Sequence, residues 1–337
     1  DNPAAIQNAE RLVRGGLRQA AAQHTNNGKA ALVAAQETGD AGRQLDRLTR
    51  ARGEYKLAAI GWDGYLKQDE NAPDAYESRY WLADARRQQV RIQVVLHKVQ
   101  KDKFPEPSRK EIDDALAAAI DVRDSNEDDK FLDNAAFFVV DIADVDRDIA
   151  YQRFEDSKGT QGVERRTEVK FDGPDPSTRK VVADPVPPVV QQSIQGRDDY
   201  VARVPANLDT QKHAADYQFY AGETYFLYGQ FELARARFEP MYKEHCGKDE
   251  FGYRAWEKLI TMSNLTRDAK RSTELAEAEK AKSCAVNDAQ KTTAGLIVNP
   301  TLQEAAFVRA RLKVEEAQKA PPGPGKDKLW REAAGMY

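Results

Sequence analysis

The chain of 337 residues carries 51 Lys and Arg against 55 Asp and Glu, a formal net charge of −4. This balance gives no general attraction to nucleic acid or to an anionic membrane surface, and no apolar run approaches the roughly 20 residues that span a bilayer. Apolar residues make up 41% of the chain, much of it Ala, and aromatic residues make up 9%. Closely packed helices suit such a composition better than a β-sandwich, so we expect an all-α fold.

Residues 1–155 are predicted to form an N-terminal helical-repeat array. One helical face follows from apolar residues that recur at spacings of three and four: Tyr55, Ala58, Trp62, Tyr65 and Leu66. The sequence NAPD at residues 71–74 breaks this helix. A later helix is predicted to begin at Ser108 as its N-cap, with Glu111 three residues on completing a capping box.

The character of the sequence changes over residues 156–188, where two short β-prone pieces flank a Gly-Pro-Asp-Pro turn before a Pro-rich exit. We expect a short irregular or β-hairpin insertion there, a surface excursion in preference to a functional loop. Helices resume in a C-terminal array at residues 189–319, and residues 320–337 are predicted to be a linker and the start of a further repeat. Because the chain begins without Met and ends abruptly in LWREAAGMY, we expect it to be a piece of a longer protein.

The stretch YAGETYFLYGQFELARARF at residues 220–238 carries the clearest repeat signal. Two antiparallel helices joined at residue 229 would place six residues at positions 8, 11, 15, 17, 20 and 24 of a 34-residue unit: Gly222, Tyr225, Gly229, Phe231, Ala234 and Phe238. Small residues at positions 8 and 20 let the helices approach, and aromatic residues fill the space between them. This spacing resembles the tetratricopeptide repeat. The resemblance implies a tetratricopeptide-like α-solenoid of antiparallel helical hairpins, with Trp256 and Leu259 in the next unit.

Two further patterns narrow the resemblance. The order Tyr55, Trp62, a polar break and then Tyr-Trp-Leu-Ala at residues 80–83 is similar to tetratricopeptide proteins of Gram-negative cell envelopes, among them periplasmic partners of the Tol system and outer-membrane assembly lipoproteins. CGKDEFGYRAWEKL at residues 246–259, together with RDSNEDDKFLDNAAFFVVDIAD at residues 123–144, resembles myxobacterial envelope tetratricopeptide proteins associated with gliding motility.

The envelope resemblance implies a non-enzymatic protein–protein interaction scaffold of a motility or secretion machine, located in the periplasm or at the outer membrane. Its partners would be other proteins of an envelope complex, with no cofactor and no nucleic acid. A cytoplasmic tetratricopeptide adaptor or chaperone-like module is the alternative. A third class, an enzyme with a helical-repeat body, would need catalytic residues in the insertion or in missing flanks, because the sequence shows no Gly-x-Ser-x-Gly and no catalytic Cys-His arrangement.

In a tetratricopeptide array the first helix of each repeat forms a concave wall, and its positions 5, 9 and 12 project toward a bound partner. The register therefore implies a face for a peptide or partner helix made of three sets of residues: Tyr80, Asp84 and Arg87; Phe219, Glu223 and Phe226; Glu257, Thr261 and Asn264. Packing between repeats is the alternative role for each residue. For Phe219 and Phe226 the two roles have equal weight.

The two cysteines, Cys246 and Cys284, are 38 residues apart and share position 32 of adjacent repeats. Equivalent positions of stacked repeats lie on the order of 10 Å apart, beyond the ~7 Å between Cα atoms that a disulfide tolerates, so a bond would need the loops to bend inward. A disulfide and two separately packed thiols are both open. The envelope resemblance favours the disulfide, because that compartment is oxidising.

No metal, catalytic or cofactor site is predicted. The four His residues are scattered along the chain. The acidic run at residues 124–129 departs from a calcium loop, because Asp129 stands at its sixth position and Ala135 at its twelfth. The run PPGPGK at residues 321–326 is followed by Asp327, where a phosphate-binding loop needs Ser or Thr, so it is predicted to be a linker.

Overall fold

The computed structural model describes residues 2–125, 127–175 and 178–336. Within them the fold is all-α, as expected. The described helices are α1 Pro3–Glu37, α2 Ala41–Gln68, α3 Ala75–Val99, α4 Arg109–Asp124, α5 Leu132–Asp156, α6 Pro188–Arg203, α7 His213–Leu227, α8 Phe231–His245, α9 Glu250–Leu265, α10 Ala269–Ala281, α11 Asp288–Lys319 and α12 Pro324–Met336.

Two local predictions about helix ends are confirmed. The break at residues 71–74 falls between the end of α2 at Gln68 and the start of α3 at Ala75. Ser108 caps α4 through its side chain, and Glu111 returns a hydrogen bond to the Ser108 backbone, which completes the capping box. Interactions between residues close in the chain therefore set these helix ends, without help from tertiary packing.

Contacts divide the chain into two compact units. The first comprises Asp1–Arg165 and Pro187–Ala214, and the second comprises Arg166–Val186 and Ala215–Tyr337. The predicted insertion at residues 156–188 thus contributes residues to both units.

In the first unit each helix packs on the next along the chain, from α1 against α2 to α5 against α6, and α3 also contacts α5. Small residues let α1 and α2 approach closely. A Cβ atom at Gly61 would lie 2.8 Å from the Cβ of Ala21, and one at Gly28 would lie 3.0 Å from the ring of Tyr55. The core between these helices combines Ala with aromatic side chains, so the close approach leaves the large rings to fill the remaining space.

Arg–carboxylate pairs join helices of the first unit that are two apart in the chain. The pairs are Arg52 with Glu111 between α2 and α4 (3.0 Å), Arg87 with Asp141 between α3 and α5 (2.5 Å), and Arg123 with Asp199 between α4 and α6 (2.9 Å). Alternate helices therefore lie side by side, as in a helical solenoid. The side chains of Arg87 and Arg123 are almost fully buried, so their carboxylate partners offset the cost of removing the charge from water.

In the second unit α8 to α12 pack in chain order. α7 packs on α8, where a Cβ atom at Gly222 would lie 2.9 Å from the ring of Phe238, so the small residue sets the helix separation. Trp256 of α9 is fully buried, and its indole N–H donates to the carbonyl oxygen of Leu275 in α10 (3.0 Å). A buried indole keeps its hydrogen bond in this way while its rings fill the core.

Residues 166–186 pack on the turn between α7 and α8. The predicted turn at Gly229 is confirmed, with a φ of +69° that favours glycine. The backbone N–H of Asp184 donates to the carbonyl oxygen of Tyr228 (3.0 Å). The side-chain amide of Gln230 donates to the carbonyl oxygen of Asp184 (2.8 Å). The turn is therefore a packing surface for the irregular segment as well as a helix connection.

The segment itself is irregular, with one isolated antiparallel bridge between Phe171 and Val181. No β-strand occurs in the part of the chain that the structure describes, so the β-hairpin form of the insertion is not confirmed. Residues 176–177, which fall in and beside the predicted Gly-Pro-Asp-Pro turn, lie outside the described residues, as does Asn126 of the acidic run.

Candidate functional site

Helices α7 and α9 of the second unit face each other through aromatic and charged side chains. The guanidinium of Arg254 lies 3.8 Å from the ring centroid of Phe219. The ammonium of Lys258 lies 2.8 Å from the carboxylate of Glu223 and 4.8 Å from the ring centroid of Phe226. Arg254 with Phe219 and Lys258 with Glu223 are both separated by 35 residues. The two helices therefore run in the same direction with a constant register.

Helical spacing explains why these groups meet. Phe219, Glu223 and Phe226 follow one another at four and three residues, which places them on one side of α7. Arg254 and Lys258 are four residues apart on α9, so the two cations lie one turn apart on a single face. A cation above an aromatic ring is attracted by the electron-rich ring face, by about 0.5–1 kcal/mol at an exposed site.

The two predicted aromatic contact residues are buried. Phe219 is 1% exposed and lies 5.5 Å, centroid to centroid, from Phe238 of α8. Phe226 is 8% exposed and stacks on Phe231 at 5.5 Å. Both rings fill the space between helices. Of the two roles that the sequence left open for them, packing and partner contact, the structure shows packing. The carboxylate of Glu223 is partly accessible beside Lys258, at 29% of its side chain.

The remaining predicted residues of the second unit lie on α9. Glu257 and Thr261 are half-buried, and the Thr261 hydroxyl donates to the carbonyl oxygen of Glu257 (2.6 Å). Asn264 is exposed near the end of the helix, where its side-chain oxygen accepts a hydrogen bond from the Ser272 hydroxyl (2.6 Å). These three residues continue along α9 from the contact with α7 toward the α9–α10 turn.

The three predicted residues of the first unit are brought together at the contact between α3 and α5. Tyr80 stacks on Phe131 with ring centroids 4.1 Å apart. The buried guanidinium of Arg87 binds the Asp141 carboxylate (2.5 Å) and lies 3.7 Å from that of Asp84. These contacts make the set a packed cluster between helices.

Burial changes the titration of two groups in this cluster. It raises the pKa of Tyr80 to about 12, with the Asp84 charge adding to the effect. It also raises the pKa of the Asp84 carboxyl above its ordinary value, and the nearby Arg87 charge opposes the rise. Both shifts reflect how little water reaches this contact.

The sequence interpretation missed Arg254, Lys258 and Tyr220. Tyr220 is 44% exposed next to the buried Phe219, and the Arg254 guanidinium lies 6.0 Å from its ring centroid. The sequence does contain a signal for the basic pair. Arg254 and Lys258 are four residues apart, and each lies 35 residues after its partner, Phe219 or Glu223, which is close to the expected repeat length. Six residues make up the α7–α9 surface: Tyr220, Glu223, Arg254, Glu257, Lys258 and Thr261.

The structure joins Cys246 and Cys284 in a disulfide with a Cα–Cα distance of 4.4 Å. This distance is shorter than the ~10 Å expected for equivalent positions of stacked repeats, so the loops bend inward as a bond requires. Gly247, with a φ of +70°, turns the chain directly after Cys246 at the end of α8. Cys284 is fully buried, and its backbone N–H donates to the buried carboxylate of Glu279 (2.9 Å).

No family model, curated protein or solved structure matches the chain. Among the described residues, none of the helices combines the length and apolar character needed to cross a membrane. In the same described ranges, no cluster of three or more His, Cys, Asp or Glu side chains is arranged to hold a metal ion.

Proposed function

We propose that the chain is a tetratricopeptide-like, non-enzymatic interaction scaffold of a bacterial cell-envelope machine of the motility or secretion class. The α7–α9 surface would bind a peptide or helix of another protein of that machine. The observation that carries the proposal is the constant 35-residue register of Arg254 on Phe219 and Lys258 on Glu223. This register agrees with the ~34-residue period of helix-turn-helix repeats, whose successive first helices form a continuous binding wall.

The chemistry of the α7–α9 surface supports the role of a polypeptide-binding face. Buried Phe219 and Phe226 hold the helices in place, and exposed Tyr220 offers an aromatic contact at the surface. Around it, Glu223 and Lys258 present hydrogen-bonding and charged groups that are only partly accessible. An aromatic anchor with polar groups beside it is a common way to bind an extended segment or an amphipathic helix.

The disulfide between Cys246 and Cys284 supports an envelope location. Disulfides persist in the periplasm and at cell surfaces and are rare in a reducing cytoplasm. Fractionation of native cells, combined with thiol alkylation before lysis, tests this part of the proposal. We expect the protein in the envelope fraction with both cysteines protected. A cytoplasmic protein with two reactive thiols would instead favour the adaptor role.

Photocrosslinking tests the binding surface in the full-length protein. Benzoylphenylalanine in place of Tyr220 is expected to crosslink one protein of the envelope complex in native cells. The matched control is the same substitution at Leu233 of α8, which is 43% exposed against 44% for Tyr220. Equal crosslinking from both positions would contradict a binding role for the α7–α9 surface. A Lys258→Glu variant should reduce the Tyr220 crosslink because it places a second negative charge beside Glu223.

A further inference from the structure

A cleft of about 200 Å³ lies among α2, α3 and α4 of the first unit. Its lining includes Lys56, Ile60, Asp63, Arg86, Glu111 and Asp114. The cleft is smaller than the roughly 300–1,000 Å³ of a drug-sized ligand or cofactor site, so its size fits a single side chain better. It lies apart from the α3 side that carries Tyr80, since that ring stacks on Phe131 beside α5.

The three carboxylates of the cleft are each paired with a cation outside its lining. The pairs are Asp63 with Lys67 (2.6 Å), Asp114 with Lys110 (2.6 Å) and Glu111 with Arg52 (3.0 Å). Glu111 also accepts hydrogen bonds from the backbone N–H and the hydroxyl of Ser108, both at 2.8 Å. The negative charges of the lining are therefore already compensated.

The two cations of the lining are less well compensated. Among the described residues, Arg86 makes only long polar contacts, at 3.3 Å to the carbonyl oxygen of Asp114 and 3.5 Å to the carboxylate of Asp63. Lys56 is exposed and forms no hydrogen bond or ion pair with any residue in the described part of the chain. Next to the cleft, the Nε atom of Arg52 is buried, and no acceptor in the described ranges lies within hydrogen-bond distance of it. Together with Arg52, Lys67 and Lys110, which pair with the lining carboxylates, the cleft and its rim hold five cations and three carboxylates.

One wall of the cleft is apolar and open to solvent. Ile60 is 60% exposed in the wall, and Leu57, one turn earlier on α2, is 47% exposed. A free anion would gain nothing from these side chains. A polypeptide that carries a carboxylate could place a neighbouring apolar residue on Ile60 and gain affinity from the apolar surface removed from water.

We propose that this cleft binds a Glu or Asp side chain of a partner polypeptide, with Lys56 and Arg86 as donors and Ile60 as the contact for an adjacent apolar residue. Charge complementarity selects the acidic group, because Lys56 is paired with no carboxylate among the described residues and Arg86 contacts the Asp63 carboxylate only at 3.5 Å. A charge-assisted hydrogen bond of this kind is shorter and stronger than a neutral one. The cleft and the α7–α9 surface share no residue, so failure of this proposal would leave the proposed function intact.

A fluorescein-labelled peptide, acetyl-Gly-Ser-Glu-Leu-Ser-Gly-amide, serves as the probe for the full chain. Fluorescence anisotropy should show that this peptide binds. A control peptide in which Gln replaces Glu should bind at least about tenfold more weakly. Protein labelled with ¹³C at isoleucine methyl groups should show a shift of the Ile60 signal with the Glu peptide. Equal binding of the Glu and Gln peptides, or no binding of either, would overturn the proposal.

Two pairs of variants locate the binding. Lys56→Glu is expected to weaken binding about tenfold or more, and Lys98→Glu, at an exposed lysine of α3, should leave it unchanged. Ile60→Ser should weaken binding, whereas Val99→Ser, at a side chain 64% exposed against 60% for Ile60, should not. Equal losses in a variant and its control would refute the location.

Two further measurements complete the test. Arg86→Gln is expected to weaken binding of the Glu peptide and to leave binding of the Gln peptide unchanged. If this variant fails to fold, the Lys56→Glu variant tests the role of the cations instead, because Lys56 is exposed. Glutarate distinguishes a small dicarboxylate from a polypeptide as the occupant. Displacement of the peptide by glutarate with equal affinity would overturn the polypeptide assignment, because the apolar contact with Ile60 would then contribute nothing.

Discussion

Glu223 and Lys258, 35 residues apart, form an ion pair of 2.8 Å that joins two parallel helices. The pair is partly shielded from solvent, at 29% and 21% side-chain exposure, and the Lys258 ammonium also lies 4.8 Å from the ring centroid of Phe226. It is therefore both a link between α7 and α9 and a part of the α7–α9 surface.

A double-mutant cycle measures this link. Glu223→Gln and Lys258→Gln, singly and together, are expected to give a coupling free energy of about 0.5–1 kcal/mol at low salt, typical of partly exposed pairs. The coupling should decrease as ionic strength rises, because salt screens the attraction. Unfolding followed by ¹⁹F NMR of fluorotryptophan at the buried Trp256 reports the second unit. A coupling free energy of zero at low salt would show that the ion pair does not stabilise the second unit.

Reduction of the disulfide is expected to destabilise the second unit. The bond closes a loop of 38 residues between Cys246 and Cys284, and the chain-entropy relation assigns such a loop about 4 kcal/mol of unfolding free energy. Urea unfolding with and without a phosphine reductant measures the loss. The variant with both Cys246→Ala and Cys284→Ala should be as unstable without reductant as the reduced protein. An unchanged midpoint on reduction would contradict this expectation.

Gly229→Ala is expected to destabilise the turn between α7 and α8 by about 1–3 kcal/mol. The residue has a φ of +69°, and an added Cβ would lie 2.5 Å from the carbonyl oxygen of Val182. Thermal unfolding measures the loss, and hydrogen exchange at the Asp184 N–H should accelerate because its bond to Tyr228 is disturbed. Gly173→Ala is the control, since a Cβ there meets nothing within 4 Å.

Asp124 should contribute to the acid dependence of stability. The hydrogen bond from the buried Arg123 side chain holds the pKa of the Asp124 carboxyl below its usual range, and burial only partly opposes this. A carboxyl whose pKa is lower in the folded chain stabilises it above the ordinary pKa near 3.8, and this stability is lost as pH falls through the folded value. Asp124→Asn should therefore lower the unfolding free energy at pH 6, with a difference from the native chain that shrinks below pH ~4.

Unfolding measured from pH 6 to pH 2.5 tests this dependence. Asp102→Asn is the matched control, because Asp102 is exposed and has no ion pair among the described residues. A constant difference between the native chain and Asp124→Asn over the whole range would mean that Asp124 acts through packing and not through its charge.

Helix caps and turns could be predicted from the sequence because residues that are close in the chain form them. The capping box of Ser108 and Glu111 needs only a short stretch of chain, and so does the turn at Gly229. The site was harder to predict. Repeat spacing placed Phe219 and Phe226 on the first helix of a hairpin, but spacing could not tell whether a ring points into a neighbouring helix or toward a partner. Their burial follows from how closely α8 and α9 approach α7.

The sequence by itself determined that the chain is helical and where several helices begin and end, because periodicity, capping and turn chemistry act over a few residues. Tertiary structure alone decided which side chains became surface and which became core. It bent the loops so that the Cα atoms of Cys246 and Cys284 lie 4.4 Å apart, and it left Lys56 and Arg86 beside carboxylates already paired elsewhere. These outcomes depend on helix separation and on competition among charges distant in the chain, which local spacing does not specify.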